Sequence, residues 1–531
     1  MPSTPTTKSQ VQAYRFVLRR MQSALVRRDS VMLHDPMRSH GRATVVGFLL
    51  GLLGMVGFVV FGLLSPSPSV PDAPGIVIGR TSGQIYVVSG PQKTLTPTFN
   101  LASARLLLMS QQQGGNAQVA DPTVVPDESL KDLPRGRRTG LVDGPQLLPS
   151  ASQRIGDNWA VCDKIVINYR LPEQVRLPQS TRETSVFAGV PELGTELAPD
   201  QAILAQAEND KFYLIYRLPS NPNDPSANNT VRAEVDPADK AVANAFKLNG
   251  PIPRHVSIGL LNAIPQVRPL TVPSIPNKGG TANFAALRAQ GLTNGSVFAV
   301  PTTSGLETYV LLPGGIQRVS QPVGDMLLAQ SGVVTPPLVA LEGINDIRQI
   351  QPTSADALPV TTMPAVVPTL LDAQRFPTAC LGWSLVGNRP HTALYVGSDL
   401  PTPAGKKLID IGKAGPNGTK IDHFYMPTGR AAVIQSATSE DTFGKGPISL
   451  VSDNGLRYGI PDVTTAKGLG IYDPLPRPAP ESIIGLLPTG ASLNVADAQR
   501  SYDDIEVRPG TGSYPGQAAP PSSSGASSPP G

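Results

Sequence analysis

The sequence has only one long apolar run and too little glycine for a fibrous protein. Mean hydropathy is −0.06, and a single apolar segment is long enough to cross a bilayer, which excludes a polytopic membrane protein. The 51 glycines fall far short of one residue in three and follow no G-X-Y period, which excludes a collagen-like triple helix. With 56 prolines they form about a fifth of the 531 residues, which disfavours helix bundles and coiled coils. A strand-rich, loop-rich globular body with one membrane anchor remains.

The main part of the chain also lacks an excess of charge of either sign. The net charge is +4, but residues 1–42 hold one lysine and seven arginines against Asp29 and Asp35, a net charge of +6. The remaining residues therefore carry −2 in total, which is near neutral for their length. This balance argues against a basic nucleic-acid-binding surface on the body, and no nucleic acid is expected as a partner.

Motifs for catalysis, nucleotide binding and metal binding are missing as well. No G-x-x-x-x-G-K-[ST] loop occurs, and residues 405–407 and 444–446 lack its glycine spacing and the Ser/Thr that would hold Mg²⁺. Ser384 is not in a G-x-S-x-G elbow, none of the five histidines is in H-E-x-x-H, and there is no C-x-x-C. We therefore predict no catalytic, cofactor-binding or metal-binding residue, and the residues themselves do not argue for an enzyme.

Residues 43–64 form the apolar run, with neither a charge nor a proline. As a helix these 22 residues would extend about 33 Å, which matches a hydrocarbon core of about 30 Å. A cleaved signal peptide is the alternative, but its apolar core would be shorter and nearer the start. The arginines before the run place the N-terminus in the cytoplasm by the positive-inside rule. Gly47, Gly51 and Gly54 form a small-residue pattern that is typical of transmembrane helix packing.

The leader before the span has the pattern of an amphipathic helix. Its apolar residues recur at steps of three and four: Val11, Tyr14, Leu18, Met21 and Leu25. One interpretation is a helix that rests on anionic lipid. The other is a helix that docks onto cytoplasmic domains of partner proteins.

Cys162 and Cys380 are the only cysteines, and both follow the span. In an oxidising compartment two such cysteines suggest one disulfide, whereas two buried free thiols are the alternative. A bridge would close a loop of about 218 residues and stabilise the fold by at most roughly 5 kcal/mol in the chain-entropy model. It would also join the segments around residues 160–163 and 378–383 in one central domain.

A pattern of strand, turn, strand and short capped helix occurs four times. The copies lie near residues 78–110, 203–250, 296–330 and 446–471, and the second copy has a longer loop at 218–229 in place of the turn. In that copy we expect Asp236 to cap a helix with Pro237 at its first position that runs to about Leu248. Chance similarity among short hairpins is the alternative. One such unit buries little apolar area, so the copies should pack on a larger scaffold.

These patterns give a division of the chain. We predict a cytoplasmic leader (1–42), a transmembrane helix (43–64), a linker (65–75), an outer body (76–508) and a disordered Pro/Ser/Gly tail (509–531). The central domain of the body is expected to include residues 155–190 and 375–400.

Several stretches resemble EccB, the B component of the type VII (ESX) secretion system. They occur in the same order as in that family, and the resemblance covers roughly residues 6–508, except for the long 218–229 loop and the tail. The stretches are residues 6–20, 24–29 with Asp35-Pro36, 99–105, 158–163, 295–298, 309–315, Cys380 with Trp383, and 455–461.

The resemblance implies a bitopic inner-membrane protein with one N-terminal transmembrane helix and a large α+β periplasmic body. That body would have a central domain with a Cys162–Cys380 disulfide and four small repeats similar to cell-wall-binding modules. It further implies a structural subunit of the secretion core complex, assembled with EccC, EccD and EccE, with self-association through the body and a cell-wall contact. EccB proteins are often described as ATPases, but the missing phosphate loop argues against ATP as a ligand. A peptidoglycan-binding tether acting alone is the third hypothesis.

Overall fold

A computed structural model of the chain describes residues 7–28, 36–64, 69–71, 74–111, 121–219, 230–416 and 418–503. The chain divides into two compact units, Met1–Val70 and Pro71–Gly531. The predicted tail, most of the 218–229 loop and part of the 65–75 linker lie outside the described residues.

The first unit consists of two helices, α1 (Lys8–Arg27) and α2 (Pro36–Leu64). Thr7 and Gln10 form a capping box at the start of α1, where the Thr7 N–H donates to Gln10 Oε1 at 3.0 Å. Helix α2 begins before the apolar run, and its part that is long and apolar enough to span a membrane is Gly41–Leu64. The predicted 43–64 run therefore lies wholly within one helix.

The second unit is built mainly from short strands. Its strands β1–β25 are, in chain order, Gly75–Gly79, Ile85–Ser89, Thr94–Thr98, Thr123–Val125, Arg138–Thr139, Trp159–Val166, Thr181–Ala188, Thr195–Glu196, Gln201–Gln206, Phe212–Arg217, Thr230–Val235, Arg254–His255, Val297–Thr302, Gly305–Leu312, Gly315–Val319, Thr369–Leu370, Thr378–Val386, Arg389–Gly397, Ile409–Asp410, His423–Tyr425, Ala431–Ala437, Ile448–Ser452, Arg457–Ile460, Arg477–Pro480 and Ser501–Tyr502. Its helices α3–α11 are Leu101–Gln111, Glu173–Arg176, Lys240–Ala245, Ile258–Ala263, Ala285–Ala289, Gln321–Ser331, Val463–Gly468, Glu481–Ile484 and Val495–Ala498.

The four predicted repeats share one architecture, with one more strand than the sequence pattern indicated. Each is an antiparallel meander of three strands followed by a helix: β1–β3 with α3, β9–β11 with α5, β13–β15 with α8, and β21–β23 with α9. Gly90 (φ 69°) and Gly455 (φ 82°) take the left-handed backbone that their hairpin turns require. We number the repeats 1 to 4 in chain order.

Each repeat continues in the same way after its helix. A return strand pairs in parallel with the first strand of the meander, and a later segment, the outer arm, pairs in parallel with the third strand. The return-strand pairs are Ile78–Val124, Ala205–Arg254, Ala299–Leu338 and Ile434–Arg477. The outer-arm pairs are Leu95–Arg135, Arg232–Gln266, Ile316–Gln349 and Arg457–Thr489. Both edges of each meander are thereby covered, which protects them from pairing with other chains.

The helix of repeat 2 differs from the prediction. Helix α5 starts later and is shorter, because the Asp239 side chain accepts the N–H groups of Ala241 and Val242 and so caps it. Asp236, the predicted cap, instead accepts the Ala238 N–H at 2.8 Å in the turn that precedes the helix. The prediction of Asp236 as the cap was wrong because two aspartates at suitable spacing compete for the same role.

The central sheet has seven strands in the order β19-β20-β7-β6-β17-β18-β8. It contains strands from both segments that were expected to form the central domain, 155–190 and 375–400. One face packs Trp159, Val161 and Leu381 against repeats 2 and 4. The opposite face carries Cys162 and Cys380.

The repeats also pack on one another in pairs. Repeats 2 and 3 share a core in which α5 lies against α8, with Phe246 and Met326 fully buried. Repeats 1 and 4 share a second core, to which Leu106 and Leu469 contribute. Full burial of a side chain of this size is worth about 1.5–3 kcal/mol, so each small repeat depends on its neighbours for much of its stability.

Candidate functional site

Helix α2 provides the membrane anchor. Its segment Gly41–Leu64 has 24 residues and contains an 18-residue window with a mean hydropathy of 2.5, none of which is buried within the chain. Large apolar side chains such as Phe48, Phe58 and Leu63 are exposed along it, a surface that is stable only in lipid or against other apolar helices. No atom of the described chain lies within 4 Å of a Cβ placed on Gly47, Gly51 or Gly54. Helix packing at these glycines therefore stays a prediction.

Helix α1 exposes the apolar face that the sequence pattern predicted. Tyr14, Met21 and Leu25 are 66%, 57% and 78% exposed, and Val11 and Leu18 are 40% exposed. Because an amphipathic helix is stabilised mainly by burial of its apolar face, this surface needs lipid or a partner. Both interpretations of the leader stay open.

Cys162 and Cys380 form a disulfide, and no described cysteine is free. The alternative of two free thiols is wrong. The two residues lie directly opposite each other on β6 and β17, with 4.0 Å between their Cα atoms. Both are fully buried beside Phe187 and Tyr425. The bridge therefore joins the middle strands of the central sheet and is shielded from solutes.

A buried carboxylate on the other face of the sheet fixes repeat 2 in place. Asp163 is 0% exposed; it accepts the Ser257 N–H at 2.6 Å and the hydroxyls of Ser257 and Thr184, each at 2.8 Å. Burial raises the pKa of Asp163, an effect that these hydrogen bonds oppose. Ser257 is also the N-cap of α6 in repeat 2. The cluster thus links the central sheet to that repeat.

Arg254 on the return strand of repeat 2 is the second buried charge near this point. Burial lowers its pKa to about 10, and the charges of Asp163 and Asp372 oppose that shift. Its guanidinium donates to the Phe376 carbonyl, whereas Nε and Nη1 have no hydrogen-bond partner among the described atoms. Arg254 is 2% exposed, and its contact with the Phe376 carbonyl links the return strand of repeat 2 to the segment just before β17.

The described residues contain no cluster of His, Cys, Asp and Glu that could hold a metal ion. One histidine nevertheless lies between two carboxylates that the sequence pattern did not connect. His423 Nδ1 is 2.9 Å from Asp410 Oδ1, and its Nε2 is 3.6 Å from Glu183 Oε2. The three residues come from β19, β20 and β7, which only the sheet topology makes neighbours. Their polar contacts hold the edge strands together.

The segments that were tested for a phosphate loop are surface loops. Residues 444–446 connect β21 with β22, and residues 405–407 follow β18. Ser384 lies on β17, directly opposite His391 on β18. Among the described strands, no sheet pairing joins Ser384 to residues 405–407 or to residues 444–446.

Comparison with known proteins identifies the family. The family model described as "Type VII secretion system ESX-1, transport TM domain B" matches residues 3–507. An ESX-3 secretion system ATPase EccB3 of Mycobacterium tuberculosis (strain ATCC 25618 / H37Rv) is 29% identical over 521 residues, which are 94% of this chain and 90% of the relative. An ESX-1 secretion system ATPase EccB1 of Mycolicibacterium smegmatis (strain MKD8) is 29% identical over 511 residues, 95% of this chain and 97% of the relative.

Solved structures show the same fold. A chain in an intact ESX-5 inner membrane complex matches with a TM-score of 0.66 and 24% identity, covering 97% of this chain and 99% of that one. An EccB3 dimer from the ESX-3 core complex matches with a TM-score of 0.62 and 24% identity, covering 80% of this chain and all of the other. The family match extends over almost the whole sequence, and so the chain belongs to the EccB family of type VII secretion systems.

Proposed function

We propose that the chain is a structural core subunit of a type VII (ESX) secretion complex in the inner membrane and supports protein export together with EccC, EccD and EccE. The match of the family model to residues 3–507 carries this proposal. The exposed apolar helix α2 and the unpartnered face of α1 support it, because both surfaces need a lipid or protein environment. Self-association through the body is part of the proposal, since a relative of the same fold forms a dimer.

Mass spectrometry of a gently solubilised membrane complex tests this function. The chain should be recovered with EccC, EccD and EccE and in more than one copy. Recovery with cell-wall material but without the other subunits would instead favour the peptidoglycan-binding tether.

We also propose that the N-terminus is cytoplasmic and that the body lies in the periplasm. The net charge of +6 before the span supports this orientation, as does the disulfide, which persists in oxidising compartments. A reporter that is active only outside the cytoplasm should work when fused after residue 72. Activity of a strictly cytoplasmic reporter at the same site would reverse the orientation.

ATP hydrolysis is the competing function, because the curated relatives carry the word ATPase in their names. The sequence has no phosphate loop. We therefore expect purified protein to hydrolyse ATP no faster than a buffer control, and Lys406→Ala or Lys445→Ala to change nothing. A rate that survives further purification and is lost in either variant would establish a nucleotide site of another form.

A further inference from the structure

Repeats 1, 3 and 4 each carry a shallow cleft at the same place. Leu95, Ile316 and Arg457 mark equivalent positions, because each is the third-strand residue that pairs with the outer arm. When the repeats are aligned on these residues, the three clefts coincide. Each cleft lies between the start of the second strand, the end of the third strand and the outer arm of its own repeat. The cleft of repeat 1 has a volume of about 350 Å³ and is lined by polar side chains that include Ser82, Gln84, Thr98, Asn100, Arg138 and Gln146.

An arginine lies in each cleft, but its charge is neutralised in only two of them. In repeat 3 Arg318 pairs with Glu307 at 3.0 Å, and in repeat 4 Arg457 pairs with Glu481 at 3.3 Å. In repeat 1 the position equivalent to Glu307 is Gln84, a neutral side chain whose Oε1 accepts from Arg138 Nη2 at 3.4 Å. Among the described residues no carboxylate forms a salt bridge with Arg138.

The outer arm of repeat 1 adds further positive charge. Residues 131–138 contain Lys131, Arg135, Arg137 and Arg138 against Asp132, a net charge of +3. The equivalent residues 262–269, 345–352 and 485–492 of the other repeats carry +1, 0 and 0. The basic side chains of the arm are exposed, and only Arg137 has a described acidic partner, Asp503, at 3.5 Å on the surface. The charge therefore faces solvent.

Repeat 1 is also the repeat that follows the membrane helix. Ten residues, 65–74, separate the end of α2 at Leu64 from the start of β1 at Gly75. A fully extended chain of this length spans at most about 36 Å. This short tether keeps the start of repeat 1 within reach of the membrane surface, and the other repeats follow later in the sequence.

We propose that the cleft and outer arm of repeat 1 bind the phosphodiester headgroups of anionic phospholipid at the membrane surface on which the body lies. A guanidinium presents a planar pair of donors that suits phosphate oxygens. The clustered charges of the arm add a long-range attraction to an anionic surface, which salt screens. This contact holds repeat 1 against the bilayer, and it applies to either orientation of the span.

The test uses the full chain in nanodiscs of phosphatidylcholine with increasing phosphatidylglycerol, up to about 30%. Because the described chain has no free cysteine, Gln92→Cys gives one labelling site in the exposed β2–β3 turn of repeat 1. Energy transfer from a fluorophore at this site to a headgroup-labelled lipid should rise with phosphatidylglycerol content. Gln84→Glu, which places a carboxylate at the position that Glu307 has in repeat 3 and beside Arg138, should raise the half-maximal phosphatidylglycerol content by about threefold or more.

Three further variants separate the cleft from other basic surfaces. Arg135→Gln with Arg138→Gln should weaken the response as Gln84→Glu does, whereas Arg138→Lys, which keeps the charge but loses the planar pair of donors, should weaken it less. Arg318→Gln removes a positive charge from the equivalent cleft of repeat 3 and should leave the response unchanged. The basic leader is the same in every variant, and equal melting temperatures establish that the variants are folded.

Three outcomes would overturn the proposal. The first is equal transfer in discs with and without phosphatidylglycerol. The second is an unchanged response in both Gln84→Glu and the double variant. The third is binding of inorganic phosphate to the cleft in discs of phosphatidylcholine alone while transfer stays independent of phosphatidylglycerol, which would identify a site for free phosphate instead of lipid.

Discussion

The Cys162–Cys380 disulfide joins two neighbouring strands of the central sheet within its buried core. The number and the compartment of the two cysteines suggested one bridge, and the structure contains it. Their positions directly across β6 and β17 could not be predicted, because 218 residues separate them along the chain. Only pairing of the two strands brings them together.

Removal of the disulfide should destabilise the body. Cys162→Ala with Cys380→Ala avoids a lone free thiol, and we expect a loss of up to roughly 5 kcal/mol, because the unfolded chain is no longer constrained by a long loop. Calorimetry of the double variant beside oxidised wild type measures the effect. An unchanged melting temperature would mean that strand pairing alone carries this stability.

Asp163 provides a second test at the residue scale. Asp163→Ala leaves the Ser257 N–H and two hydroxyls without their acceptor, which should cost about 3 kcal/mol of unfolding free energy. Asp399→Ala is the matched control, since that carboxylate pairs with Lys164 at 2.6 Å but is 73% exposed, and its loss should cost less than about 1 kcal/mol. Denaturant unfolding of both variants measures these losses of unfolding free energy. Equal losses in the two variants would contradict the role given to Asp163.

At the scale of elements, strongly periodic segments were predictable and edge pairings were not. The apolar run and the leader pattern indicated α2 and α1, and turn residues indicated one hairpin in each repeat but not the third strand, because these signals are local. The return strands and outer arms have little strand pattern of their own: the return strand of repeat 4 is Arg477–Pro480 and holds two prolines. Such segments become strands only because an exposed meander edge lies beside them.

Helix α1 offers a test between its two interpretations. Leu18→Glu with Met21→Glu places two charges on the apolar face and should lower the yield of the chain in the secretion complex, while membrane insertion stays normal. Ser9→Glu with Gln12→Glu adds the same charge away from that face and should leave the yield unchanged. Unimpaired assembly and secretion with the first pair would favour the lipid-resting helix. Affinity purification followed by quantitative mass spectrometry measures the yield.

At the scale of the whole molecule, anchorage and folding lie in different parts of the chain. The compact unit that holds the disulfide and the four repeats begins at Pro71. It has its own cores, one of which combines the central sheet with repeats 2 and 4. This unit should therefore fold without the leader and the span.

A truncated chain of residues 73–508 should be soluble, oxidised and cooperative in thermal unfolding, yet absent from the secretion complex. Its melting temperature should match that of the full chain, because the compact unit that begins at Pro71 has its own cores. Calorimetry and co-purification check the two halves of this expectation. Aggregation of the oxidised fragment, or its recovery in the complex, would show that the first 72 residues do more than anchor and assemble.

The apolar run, the basic leader, the two cysteines and the four hairpin-helix patterns can be found in the amino-acid sequence. Each of these depends on composition or on short-range spacing, which propensity and hydrophobic period encode locally. The buried Asp163 and Arg254, the His423 contacts and the different charge of the repeat clefts emerge only in the folded molecule. These features join residues that lie far apart in the sequence, so their chemistry exists only after strand order and repeat packing bring them within a few ångströms.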